Sequence, residues 1–192
     1  MDVGKFLFRS RGYTPIPFIL ILILQSDLQL WSMFIGGVFA LTGEWIRLNG
    51  VRAAGGRTRT RNVGAKELCT WGFFSYVRNP LYLGNILIYT GMTLFAGGEW
   101  LAQLLVFGIA FFIIQYALII SLEEETLRGI FGNAYREYCA NVPRLFPRSK
   151  PWKKDQDIKF LTWEKVLKTE KTTLMVFVAF LLAVILKHFL FA

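Results

Sequence analysis

Charge segregation constrains this chain more than any other feature. Of its 22 Lys and Arg residues, all but Lys187 fall in three blocks, residues 1–14, 46–83 and 122–172, and the apolar stretches between them are nearly free of charge. Burying those stretches is a task for a bilayer, where a helix of about 20 apolar residues crosses the roughly 30 Å hydrocarbon layer. Composition agrees: 54% hydrophobic and 16% aromatic residues with a formal charge of +9 are unlike a soluble domain of 192 residues. The fold class expected is all-α, a polytopic membrane protein of about five transmembrane helices.

Residues 1–14 read as a basic tail. Pro15 to Leu24 is apolar but short, a marginal or re-entrant span, and Leu28 to Ile46 is long enough to cross. Glu44 near its end pairs on paper with Arg47 as a surface i,i+3 pair. Asn49 to Trp71 is a basic, glycine-rich connection. Leu81 to Ala96 and Trp100 to Ile120 are two more spans, joined so closely by Gly97-Gly98-Glu99 that they must form an antiparallel hairpin. Gly84, Gly91 and Ala96 let helices approach. Gln115 and Tyr116 face either a cavity or a neighbouring helix. Ser121 to Tyr138 continues the second arm into the cytoplasm, 148–172 is linker-like, and Leu174 to Ala192 is a last span. The positive-inside rule then puts the N-terminus in the cytoplasm and the C-terminus outside. Residues 1–192 are read as one integral-membrane domain, with a motif-bearing core at about 40–147 and a basic linker plus last span at 148–192. In a bacterial cell this implies the inner membrane.

Several chemistries are disfavoured. Cys69 and Cys139 both lie in basic cytoplasmic segments, so no disulfide is expected. No Cys/His spacing suits a metal, and His188 sits alone near the end of an apolar run. The arginines of the 49–71 connection are not interleaved with aromatics, so anionic head groups explain them better than nucleic acid. No small-residue cleavage site follows the first apolar run.

The candidate site is Gly72-Phe73-Phe74-Ser75-Tyr76-Val77-Arg78-Asn79-Pro80-Leu81-Tyr82-Leu83-Gly84-Asn85, where a basic segment becomes an apolar one. Pro80 suits the first turn of a helix and Asn79 the N-cap before it. Tyr82 and Asn85 follow on one side. Such a helix N-terminus at a membrane surface can hold an anionic group. The plainer reading is a snorkelling Arg78 and an interfacial Tyr82. The hairpin returns Glu123-Glu124-Glu125 to the same membrane surface. Carboxylates beside Asn79, Tyr82 and a helix N-terminus suit a ligand with both charge signs.

Together with Glu123-Glu124, Leu127, Phe131-Gly132, Tyr135, Tyr138 and Val142-Pro143-Arg144, this stretch resembles the membrane methyltransferases that include the isoprenylcysteine carboxyl methyltransferases and phospholipid N-methyltransferases. The resemblance covers roughly residues 40–147. It implies S-adenosylmethionine in a cytoplasm-facing pocket, lined by Asn79, Pro80, Leu81, Tyr82, Glu123 and Glu124, with Lys66, Glu67, Leu68, Cys69 and Phe74 adding walls and backbone contacts. It makes Glu124, Asn79 and Arg78 the residues expected to carry the chemistry. Two departures stand out. Many relatives have histidine at Asn79 and tyrosine at Phe74, and asparagine cannot act as a general base. The isoprenylcysteine enzymes also carry an arginine shortly before the acidic pair, where this chain has Leu118-Ile119-Ile120-Ser121. The acceptor is accordingly left as a membrane lipid or lipidated small molecule, with no metal and no nucleic acid. A reductase is the competing class, because membrane sterol reductases share the resemblance and use a nicotinamide cofactor. A non-catalytic module binding anionic lipid is the third.

Overall fold

The computed structural model describes residues 3–55, 64–152 and 160–191, so the middle of the basic connection and part of the 148–172 linker lie outside the described residues. Among the described residues the regular structure is helical: α1 (Val3–Ser10), α2 (Ile16–Gln25), α3 (Leu30–Ala53), α4 (Pro80–Ala96), α5 (Leu101–Asn141) and α6 (Trp163–Phe191), with a 3-10 turn at Gly72–Ser75.

Pro80 opens α4 as expected, and two glycines close it. Gly97 and Gly98 have φ of 62° and 90°, which an L side chain resists, and a Cβ on Gly97 would run into the carbonyl oxygen of Asp27. The amide of Asp27 donates to Ala96 O at 2.9 Å, and Gln25 Nε2 donates to Gly97 O at 2.9 Å. The α2–α3 and α4–α5 turns thus meet at one end of the bundle. Lys187 brings the far end of α6 to the same level by donating from Nζ to Ser26 O at 2.7 Å.

The tightest packing is between α3 and α4. An added Cβ on Gly43 would sit 2.6 Å from Gly84 O, and one on Gly91 would sit 2.6 Å from Gly36 O. Backbones touch here because side chains are missing, the packing that small residues permit between membrane helices. Gly91→Leu is therefore expected to lower stability by at least the roughly 1–3 kcal/mol of an overpacked core. Gly37, with open space around its Cβ position, is the control. Thermal unfolding of the purified chain should separate the two, and a Gly91→Leu melting temperature equal to that of Gly37→Ala would refute the packing argument.

Besides α3 running on to Ala53 through the start of the expected 49–71 connection, three features differ from the sequence reading. Residues 3–10 are a helix rather than a tail, because Phe8 is buried against the core formed with α5. α6 starts at Trp163, eleven residues before Leu174, because Val166 and Glu170 extend the buried stripe of Phe180 and Val184. The surface pair Glu44–Arg47 is the third correction. Both side chains are buried rather than at a surface; the Glu44 charge still acts on Arg47, which also reaches across the bundle, donating from Nη1 to Asn85 Oδ1 at 2.6 Å and from Nη2 to Glu170 Oε2 at 2.5 Å. A buried pair adds little net stability but costs several kcal/mol to break, so it fixes how α3, α4 and α6 register.

α5 and α6 are each long and apolar enough to cross a membrane, whereas α2 and α4 are shorter. Large apolar side chains such as Phe34, Leu41, Val106 and Leu182 point outward from α3, α5 and α6. Contiguous apolar exposure on that scale marks a surface meant for lipid or protein rather than water. The first apolar run tracks α5 in reverse: Gln115 Nε2 donates to Thr14 Oγ1 at 2.9 Å, Phe18 packs over Gly108, and Gln25 lies against Gly98. Gln115 therefore faces the α1–α2 turn, and Tyr116 faces Tyr82 of α4.

Candidate active site

α5 carries Glu123 and Glu124 out of its apolar section and then breaks. Gly132 has φ 52° and ψ −121°, a conformation open to glycine. In a straight helix Cys139 would lie about 22 Å beyond Glu124. Here one guanidinium touches both. Arg78 donates from Nε and Nη2 to Glu124 Oε1 at 3.1 and 3.0 Å, and from Nη1 to the carbonyls of Cys139 and Val142 at 3.0 and 2.6 Å. Arg78 thus caps orphan carbonyls at the end of α5 while pairing with its middle. The returning segment packs Tyr135, Tyr138 and Val142 into a small core of their own.

The chain on either side of Arg78 is latched to the segment after α5. Arg78 N donates to Pro143 O at 2.9 Å, Arg148 N to Tyr76 O at 3.0 Å, Trp152 N to Ser75 O at 3.0 Å, and the Tyr138 hydroxyl to Phe74 O at 2.7 Å. Asn79 stands at the N-cap position of α4 but makes no capping bond; its Nδ2 donates to Arg144 O at 3.1 Å. The expected position is right and the expected bond is not, because the Pro143–Arg144 backbone arrives within its reach. The first amides of α4 are consequently left without a side-chain cap.

Glu124 is buried, 2% exposed, and draws three arginines, two of them by hydrogen bonds. Besides Arg78, Arg144 grips it as a fork, Nε to Oε1 at 3.2 Å and Nη2 to Oε2 at 2.6 Å, and Arg128 Nη2 stands 3.7 Å from Oε2. Burial alone would raise its pKa, but the Arg144 and Arg78 guanidiniums outweigh that and hold it below the ordinary carboxylate value. Glu123, one residue back, is the opposite case. Burial pushes it up to about 7, opposed by a hydrogen bond with Tyr82 and the positive charge of Arg11, with the neighbouring Glu124 charge adding to the rise. The Tyr82 ring leans on Tyr116 at 4.9 Å between centroids.

Of the residues expected in the site, Arg78, Asn79, Tyr82, Glu123 and Glu124 come together. Pro80 and Leu81 start α4 but turn their side chains onto α3 at Gly50. Lys66 and Glu67 are exposed, and Leu68 packs under Tyr135 and Tyr138. Burial raises the Cys69 thiol to about 12, which leaves it an inert thiol. Phe74 contributes its carbonyl to Tyr138. Arg144 and Arg11 are additions. Arg144 stood within the Val142-Pro143-Arg144 motif, a cation just past a helix C-terminus; Arg11 carried no signal, since only the packing of α1 on α5 brings it near Glu123.

A family model described as phospholipid methyltransferase matches residues 31–134, more than half of the chain. Polyprenal reductase 2 of Arabidopsis thaliana is 30% identical over 150 residues, covering 76% of this chain and 42% of that protein. Methanethiol S-methyltransferase 1 of Bradyrhizobium diazoefficiens is 28% identical over 143 residues, covering 70% of this chain and 48% of that protein. The match spans less than half the length of either relative. No solved structure matches the chain.

Proposed function

We infer that this chain, which belongs to the phospholipid methyltransferase family, is an integral-membrane methyltransferase that uses S-adenosylmethionine to methylate a lipidic or prenylated acceptor at a carboxylate oxygen or an amine nitrogen. The observation that carries the reading is the pairing of Glu123 with Tyr82 one turn from Asn79, where α4 begins and α5 leaves its apolar section. This donor set fits the cofactor. The uncapped first turn of α4 offers amides to a carboxylate. Glu123 and the paired Tyr82 and Tyr116 rings complement a cation. Bound there, S-adenosylmethionine supplies a methyl group already activated on a sulfonium.

The chain's own part is positioning and the exclusion of water. Asn79 takes no proton. Glu123, half-buried beside Tyr82 and Arg11, is the group that can hold or release one near neutrality. Glu124, saturated by Arg78 and Arg144, holds the α5 return against the Arg78–Tyr82 segment, so Arg78 and Glu124 act chiefly by fixing the wall. We place the site at the cytoplasmic surface of a five-crossing bundle formed by α2 to α6. In that topology a thiol introduced at Ser149 is labelled from the cytoplasmic side and a C-terminal reporter lies outside. A cytoplasmic reporter would remove one crossing.

The likeness to polyprenal reductase 2 supports a second reading, an NADPH-dependent membrane reductase. Equilibrium binding on the purified chain separates the two. Saturable binding of tritiated S-adenosylmethionine, unaffected by NADPH, is expected; saturable NADPH binding alone would favour the reductase.

A further inference from the structure

α6 presents two faces that the constellation does not use. Its buried stripe, including Glu170, turns toward the bundle and Arg47. Away from it, a shallow surface depression of about 410 Å³ lies beside Gly55, Leu161, Lys165, Lys168 and Thr169. A second, about 440 Å³, is a groove headed by Lys171 and lined by Leu174, Met175, Val178 and Leu182. Among the described residues no acidic side chain lines either one. The lysines occupy the first turns of the helix, and the groove follows the part apolar enough to cross a membrane. Cations therefore sit at the water boundary, directly above an apolar channel.

We propose that this face of α6 docks one anionic phospholipid, its phosphate between Lys168 and Lys171 and an acyl chain along the groove from Leu174 to Leu182. Charge complementarity selects the occupant. Lys168 and Lys171 are three residues apart, hence neighbours on the helix surface, and cations placed there attract anionic head groups. A second copy of the chain is disfavoured on the same ground. Two copies in one membrane share an orientation, so pairing through this face would set lysines against lysines. A zwitterionic lipid brings its own ammonium to the same place. None of the groove residues belongs to the Glu123–Tyr82 constellation, so the site stands whether or not methyl transfer is confirmed.

The test is photo-crosslinking from Val178, half exposed in the groove. The full chain carries a photoactivatable residue at that position and is reconstituted in nanodiscs doped with radiolabelled phosphatidylglycerol or phosphatidylcholine. Phosphatidylglycerol is expected to crosslink in preference. Lys168→Gln and Lys171→Gln should each reduce its yield roughly fivefold, while Lys150→Gln, exposed elsewhere, leaves it unchanged. Equal yields from the two lipids in the otherwise unaltered chain would overturn the proposal. So would an unchanged yield in the double lysine variant, or crosslinks to a second copy of the chain.

Discussion

Glu124→Gln should unseat the candidate site as a whole, costing roughly 3–5 kcal/mol of stability and removing cofactor binding with it. That is the usual loss when one partner of a buried ion pair is deleted and its counter-charge stays behind. Here the counter-charge is Arg78, whose side chain is 11% exposed and also holds the carbonyls at the end of α5. Arg144, 41% exposed, is screened by water and adds less. Glu125→Gln, on the exposed side of the same turn, is expected to stay within about 0.5 kcal/mol. Acid should mimic the loss. Glu124 has a folded pKa below the ordinary 4.5, so the stability it contributes is present above that value and is lost as pH falls through the folded pKa. Thermal unfolding of both variants from pH 7 downward checks both statements, and a Glu124→Gln chain as stable as Glu125→Gln would dismiss the clamp.

Glu123→Gln is expected to cost roughly a hundredfold or more in transfer to any acceptor that must lose a proton, the usual share of a positioned acid–base group. Its pH profile identifies the cause. The carboxyl is raised from 4.5 to about 7, so the folded chain keeps a proton there that the unfolded chain has lost. Stability from this group is full below about 4.5 and fades as pH rises through 7, while ionised Glu123, able to accept a proton, appears over the same rise. Activity should climb as stability falls. The groups facing it are Tyr82 on α4, Arg11 after α1 and Glu124 on its own helix, so Arg11→Gln should move the limb to higher pH by removing the cation that favours ionisation. A rate that keeps its limb near pH 7 in Glu123→Gln would assign the titration elsewhere.

Much of this arrangement is legible in the residues, for local reasons. Pro80 sets where α4 begins, and Gly97-Gly98 sets where it ends, because backbone chemistry alone dictates both. The hairpin then compels Glu123 and Tyr82 to share one end of the bundle. Other features depend on contacts between distant segments. Nothing local links Arg47 to Glu170, 123 residues away, so only the nearer Glu44 was legible as a partner. Gly132 sits inside an apolar-periodic stretch where a glycine is tolerated within a helix, and only its φ of 52° shows the reversal that brings Cys139 back to Arg78. Asn79 is at the N-cap by sequence, yet its bond goes to Arg144 O because the returning chain gets there first. The start of α6 was likewise hidden, since polar and charged residues outnumber apolar ones across the turns that bury Val166 and Glu170.

The central claim is that a methyl group passes from S-adenosylmethionine to an acceptor dissolved in the membrane. The most direct measurement incubates the purified, reconstituted chain with methyl-tritiated S-adenosylmethionine and a membrane lipid extract, then counts label in the organic phase. The account predicts label that depends on the chain, falls with Glu123→Gln, and is several times greater for the lipid extract than for a water-soluble analogue lacking its tail. Unlabelled lipids alongside chain-dependent oxidation of NADPH would contradict it.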